Sequence, residues 1–189
     1  MLSLWITDLA NTLGIFYYIL VYAIGIVSMA LSVCAFQFRY RITIVICNFL
    51  GQASWVVYFL LQGDLTSAIA CALCAVMISV FTKRDKWRFV KSPFCTIFFI
   101  ILICGFSAFS FATWADVFPI LAGVFAVIAN SRAHEKELRI FSIFWCGFWL
   151  LNSAFKMYPV ALVNDLFCTV STIVALIRYR KTKKYKNNE

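Results

Sequence analysis

One acid in this chain sits well inside an apolar stretch. Asp165 lies in Pro159-Val160-Ala161-Leu162-Val163-Asn164-Asp165-Leu166-Phe167-Cys168-Thr169, whereas every other charge falls at a segment end, in a connection or in a tail. A carboxylate in lipid costs roughly 2.5–3.5 kcal/mol at a helix centre. Asp165 must therefore face protein or water, where it can bind a solute or carry a proton. The polar residues around it share helical spacing. Asn48, Gln52 and Trp55 fall at i, i+4 and i+7 and occupy one helix face. Asp165, Thr169 and Thr172 repeat that spacing. The chemistry this suggests is a polar cavity in which Asp165, Asn152, Asn48, Gln52, Trp55 and Thr169 meet a small polar solute. Amides and hydroxyls replace the solute's water, and Trp55 stacks on a ring or sugar face.

Two plainer readings compete. Ser, Thr, Asn and Gln commonly hydrogen-bond across membrane helices, at roughly 0.6 kcal/mol each, with no ligand involved. Lys156 lies just before the last apolar segment, so a shallow Asp165–Lys156 pair would also account for the acid. Asn164 projects about 100° around the helix from Asp165, which predicts that both cannot be central to one pocket. Tyr58 falls near a segment end and reads as an interfacial belt residue. Cys71-Ala72-Leu73-Cys74 has CxxC spacing, but no second pair and no nearby His, so it does not read as a metal site. His134, the one histidine, lies in a charged connection. P-loop, GxGxxG, HExxH and nucleophile-elbow motifs are absent, and no cofactor is expected. An enzyme in the membrane would need clustered His, Asp or Glu, and the chain is not expected to be one.

The elements that hold these residues are set by composition. Of 189 residues, 63% are hydrophobic and 13% charged, with mean hydropathy +0.89. That is a polytopic membrane protein rather than a soluble one. The net charge of +9 lies in connections beside apolar segments, which argues for bilayer orientation and against nucleic acid. The N-terminus lacks a positive n-region and a cleavage site, so no signal peptide is expected. The eight cysteines lie in or beside apolar segments and read as packing residues.

A spanning helix needs about 20 mainly apolar residues. Seven segments qualify, near 14–36, 42–61, 65–82, 92–112, 116–131, 140–158 and 159–179. Of 17 Lys and Arg residues, 16 then fall on one side and only Lys156 on the other. The positive-inside rule predicts an outside N-terminus, a cytoplasmic C-terminus and an odd number of spans. The first three segments and the last three share a layout: a basic connection, a tight non-basic turn, a basic exit. An offset of 98 pairs Gly25 with Gly123, Arg41 with Arg139, Ile42 with Ile140, Val76 with Val174 and Lys83 with Lys181. The expected fold is all-α, one membrane domain over 1–189. It comprises a three-helix repeat at 14–82, a linker helix at 92–112, a second repeat at 116–179 in the same orientation, and a basic cytoplasmic tail at 180–189. Parallel repeats of this 3+1+3 kind are the plan of SWEET-type transporters.

Several stretches carry a family resemblance. They are Phe118-Pro119-Ile120-Leu121-Ala122-Gly123, Trp149-Leu150-Leu151-Asn152-Ser153, Val163-Asn164-Asp165-Leu166-Phe167 and Ile177-Arg178-Tyr179, with Phe36-Gln37-Phe38-Arg39 and Tyr58-Phe59-Leu60-Leu61-Gln62-Gly63 in the first half. On these the chain resembles the bacterial inner-membrane YgjV family. The resemblance implies an inner-membrane location and an acid in the last span, a glutamate in the family pattern and Asp165 here. That family is in turn similar to the PQ-loop and SWEET-like group, although Pro119 is followed by Ile120 and Pro159 by Val160, so this chain has no Pro-Gln pair.

The expected function is transport or facilitated passage of a small polar solute by alternating access between two three-helix bundles. The alternative is a non-transporting membrane protein: an assembly partner, a sensor or a lipid-interacting scaffold. The expected partners are the lipid bilayer and the solute, with a homo-oligomer left open.

Overall fold

The computed structural model describes residues 6, 8, 11–37, 41–83, 87–132 and 135–186, apart from the side chains of 33–37, 41–45, 48, 91, 135–136, 138–139, 175 and 178–186. The described residues are helical throughout, joined by short turns, with no strand among them. Among the described residues, seven long helices run α1 Ile15–Gln37, α2 Arg41–Leu61, α3 Leu65–Phe81, α4 Pro93–Phe109, α5 Val117–Ser131, α6 Glu135–Phe155 and α7 Pro159–Lys186. A single turn at Arg88–Lys91 precedes α4, and a 3-10 turn at Trp114–Asp116 leads into α5.

Local chemistry sets the helix ends. Gly63, at φ +78°, makes the sharp turn after α2 that a side chain would resist. Asp64 then caps α3, its carboxylate accepting from Ser67 N at 3.1 Å. Ser92 caps α4 ahead of Pro93, whose missing N–H falls where a helix leaves donors unused anyway. Asp116 draws the preceding loop in by accepting from the backbone N–H groups of Ala112 and Thr113, both at 2.8 Å.

Helices α1, α2 and α3 pack in succession, and so do α5, α6 and α7. The two groups meet where α3 lies on α5 and where α1 lies on α7, while α4 leans on α3 and α5. One core cluster joins α3, α4 and α5 through Met77, Phe99, Ile103 and Val127. The other joins α1, α2, α3 and α7 through Tyr17, Trp55, Tyr58 and Ala161. Neighbouring side chains press tightly on the backbone at two glycines. A Cβ on Gly123 would lie 2.9 Å from Ile103 Cγ2, and one on Gly25 would lie 3.0 Å from both Tyr58 and Val160.

The outer surface is apolar to a degree that water would penalise. Phe94, Ile101 and Phe109 on α4 are 74%, 65% and 94% exposed, and α1 and α7 show similar faces. Ile15–Ser32 and Trp114–Ser131 are each long and apolar enough to cross a bilayer, and five shorter apolar helical segments accompany them.

Candidate functional site

A cavity of about 130 Å³ lies among α1, α2, α3, α6 and α7, enough for several waters or one small organic molecule. Asp165 and Asn164 of α7 stand on its wall with Gln52 and Trp55 of α2, Ser32 of α1 and Trp149 of α6. The remaining wall includes Phe59, Cys71, Trp145, Cys146, Ala161 and Cys168.

Asp165 is held by neutral donors. Ser153 Oγ of α6 donates to Oδ2 at 2.6 Å, and Asn164 Nδ2 donates to Oδ1 at 3.3 Å. Asn164 is buried, and its Oδ1 has no partner. The aromatic wall is continuous. Phe59 stacks on Trp55 at 5.8 Å between centroids and on Trp149 at 5.6 Å, and Trp55 Nε1 donates to Ser32 Oγ at 3.3 Å.

A second polar cluster lies at the turn ends of the helices. Lys156, in the turn after α6, donates to Asp64 Oδ2 at 2.7 Å and to Asp116 Oδ1 at 2.6 Å. The two acids are 3% and 4% exposed in their side chains and the lysine 13%. Ser67 Oγ also donates to Asp64 Oδ2 at 2.5 Å, and Asn152 Nδ2 donates to Ser67 Oγ at 3.2 Å. One chain of bonds thus joins α3, the turn before α5 and the end of α6. Tyr158 sits beside it. Burial pushes its phenol above the ordinary range, and the charge of Asp64 adds to the rise.

The residues expected at a solute site divide. Asp165, Gln52 and Trp55 line the cavity. Asn152 does not line it: its amide is committed to Ser67, although its Oδ1 is unpartnered. Thr169 does not line it either, and its hydroxyl turns back to the carbonyl of Asp165 at 2.7 Å. The side chain of Asn48 lies outside the described residues.

Three expectations need correcting. Lys156 does not pair with Asp165. The acid lies nine residues on, inside α7, while the ammonium reaches sideways to the other two turns. Asn164 and Asp165 do share one cavity. Several helices contribute to its wall, so neighbours about 100° apart on one helix can both reach it. Tyr58 is no belt residue, being fully buried edge-on against Trp55 and Phe59. Residues that sequence reasoning missed are Ser153, Asn164 and Trp149 on the cavity side and the Asp64–Lys156–Asp116 cluster. The cluster had a signal: the lone cation of the non-basic side shares that side with two acids in the neighbouring turns.

Cys71 lines the cavity and Cys74 belongs to the other core cluster, so the CxxC pair is split between two environments. No group of three or more metal-ligating side chains occurs among the described residues. No curated protein and no solved structure matches the chain. A family model does, over residues 19–183, a stretch that includes the whole cavity wall and the Lys156 cluster, and the chain thus belongs to the Imp-YgjV family of bacterial inner membrane proteins.

Proposed function

We propose that this chain is a multi-pass facilitator or transporter, not an enzyme, that passes a small polar solute through the bilayer by alternating access. In this reading α1–α7 are seven spans, the N-terminus is outside and the C-terminus cytoplasmic, and α4 links two parallel three-helix repeats in a SWEET-like plan. The single observation that carries it is the cavity between the two helix groups, with an ionisable Asp165 on its wall. An acid inside a membrane span is costly to keep without a task.

Two further features support the reading. The packing order of α1–α3 matches that of α5–α7, and the contacts of α3 with α5 and of α7 with α1 correspond under a two-fold exchange of the groups. The Lys156 cluster ties Asp64 of the first group to the second, as a closed gate on the non-basic side would. Alternating access then consists of parting that cluster while the opposite end closes.

The test is solute flux in vesicles reconstituted with the purified protein, screened against a broad panel. Wild type is expected to give saturable flux above protein-free vesicles, and Asp165→Asn to lose most of it while keeping its melting temperature. Absence of flux for every solute with wild type overturns the proposal.

A further inference from the structure

The charge balance around the cavity is unequal. Asp165 has two described side-chain partners, Ser153 and Asn164, both neutral. Among the described residues, the cavity wall carries no Lys, Arg or His. Lys156, in the turn before α7, is already bonded to two other carboxylates. An ionised carboxylate in a wall of low polarity is stabilised by an opposite charge close by. Nothing described in the protein supplies that charge, so the acid either takes up a proton or meets a cationic ligand.

The rest of the wall selects which kind of ligand. Trp55, Phe59, Trp145 and Trp149 line the same cavity as Asp165. Aromatic rings attract cations through their negative faces and bury hydrocarbon equally well. A sugar or polyol would instead call for several hydroxyl-binding groups. Here Ser153 and the amide nitrogen of Asn164 are spent on Asp165, and Ser32 Oγ accepts from Trp55, which leaves the Gln52 amide and Trp145 Nε1 as neutral polar groups of the described wall. The unpartnered acceptor beside the acid, Asn164 Oδ1, asks for a donor. An N–H of an ammonium group provides one.

We propose that the cavity binds a small organic monocation, its ammonium group on Asp165 and its hydrocarbon against Trp55, Phe59 and Trp149. This rests on reading the cavity as the solute site, and it names the class of solute.

The test separates the two claims by measuring binding apart from flux. Purified protein in detergent is titrated with ethanolammonium, tetramethylammonium, glycerol and acetate, following tryptophan fluorescence and heat. Three of the wall residues are tryptophans, which makes the fluorescence a local reporter. Saturable binding is expected for at least one of the two cations and for neither glycerol nor acetate. Asp165→Asn should weaken cation binding by about tenfold or more, and Trp149→Leu by about twofold to fivefold. A thermal melt of each variant, and retention of binding by Asp165→Glu, distinguish loss of the site from loss of fold. Cation binding equal in wild type and Asp165→Asn overturns the inference, as does binding of glycerol without either cation. If the cations bind but do not cross vesicle membranes, the ligand class stands and the transport reading falls. If glycerol crosses through wild type and no cation binds, the reverse holds.

Discussion

Replacing Lys156 with methionine removes one ammonium and strands two carboxylates. Asp64 and Asp116 both touch the same Nζ, at 2.7 and 2.6 Å, and both are nearly inaccessible to water. Neither acid can turn away cheaply. Asp64 is held by Ser67 and caps α3, and Asp116 is held by two backbone N–H groups of the preceding loop. Breaking a buried pair by deleting one partner costs about 3–5 kcal/mol, and here one deletion unpairs two acids. At roughly 2–4 °C per kcal/mol for a chain of this size, the melting temperature should fall by on the order of 10 °C. The assay is thermal unfolding in detergent with a thiol-reactive fluorophore, which reports buried thiols such as Cys71 and Cys74, 3% and 1% exposed, as a rise above the baseline set by the exposed Cys104. Adding Asp64→Asn and Asp116→Asn to Lys156→Met should recover most of the loss, because asparagine still caps α3 and no charge is left unpaired. A Lys156→Met protein that melts within about 2 °C of wild type refutes the reasoning, as does a triple variant no more stable than the single one.

Other outcomes follow from the same geometry. Gly123→Ala should cost about 1–3 kcal/mol, since its Cβ would stand 2.9 Å from Cγ2 of a fully buried Ile103, and Ile103→Val, which removes Cδ1 at 3.3 Å but keeps Cγ2, should restore only a small part of the loss in the same melt. Met157 has φ +55° in the turn after α6, so Met157→Gly should leave stability unchanged or raise it by up to about 1 kcal/mol, while Met157→Val lowers it. Phe111→Cys, on the side of the Lys156 cluster, should react with a membrane-impermeant maleimide on the outer face of the inner membrane, and Arg132→Cys only after that membrane is permeabilised. The opposite labelling pattern inverts the proposed orientation.

What the sequence revealed followed the kind of signal each residue carries. Apolar length and the spacing of Lys and Arg are one-dimensional, and they locate most helix ends closely, but α6 starts at Glu135 rather than near 140 and α7 runs to Lys186 rather than 179 because charged end turns can still be helical. Asp165 stood out because a charge in an apolar run is conspicuous without any fold. Thr169 is off the cavity wall, and its hydroxyl bonds the carbonyl four residues back, as those of Ser28, Ser32 and Thr172 also do. Spacing on one helix cannot separate that from a role in a cavity. The Asn164 argument failed for a related reason: a helical wheel describes one helix, and five helices build this cavity wall. Asp64, Asp116 and Lys156 were each visible as turn residues. Their meeting is a property of how three turns converge, which no local pattern encodes.

That convergence also bears on how the protein is made. Lys156 follows Asp64 by 92 residues and Asp116 by 40. At about 5–20 residues per second, Asp64 leaves the ribosome on the order of ten seconds before its counter-ion exists. During that interval the first three helices and α4 must hold their places with an acid that has no cation to meet. The ammonium that joins the turns arrives only with the end of α6, so the two helix groups can lock together at this end only late in synthesis. A chain truncated before Lys156 should therefore be a better substrate for membrane proteases than its length alone implies.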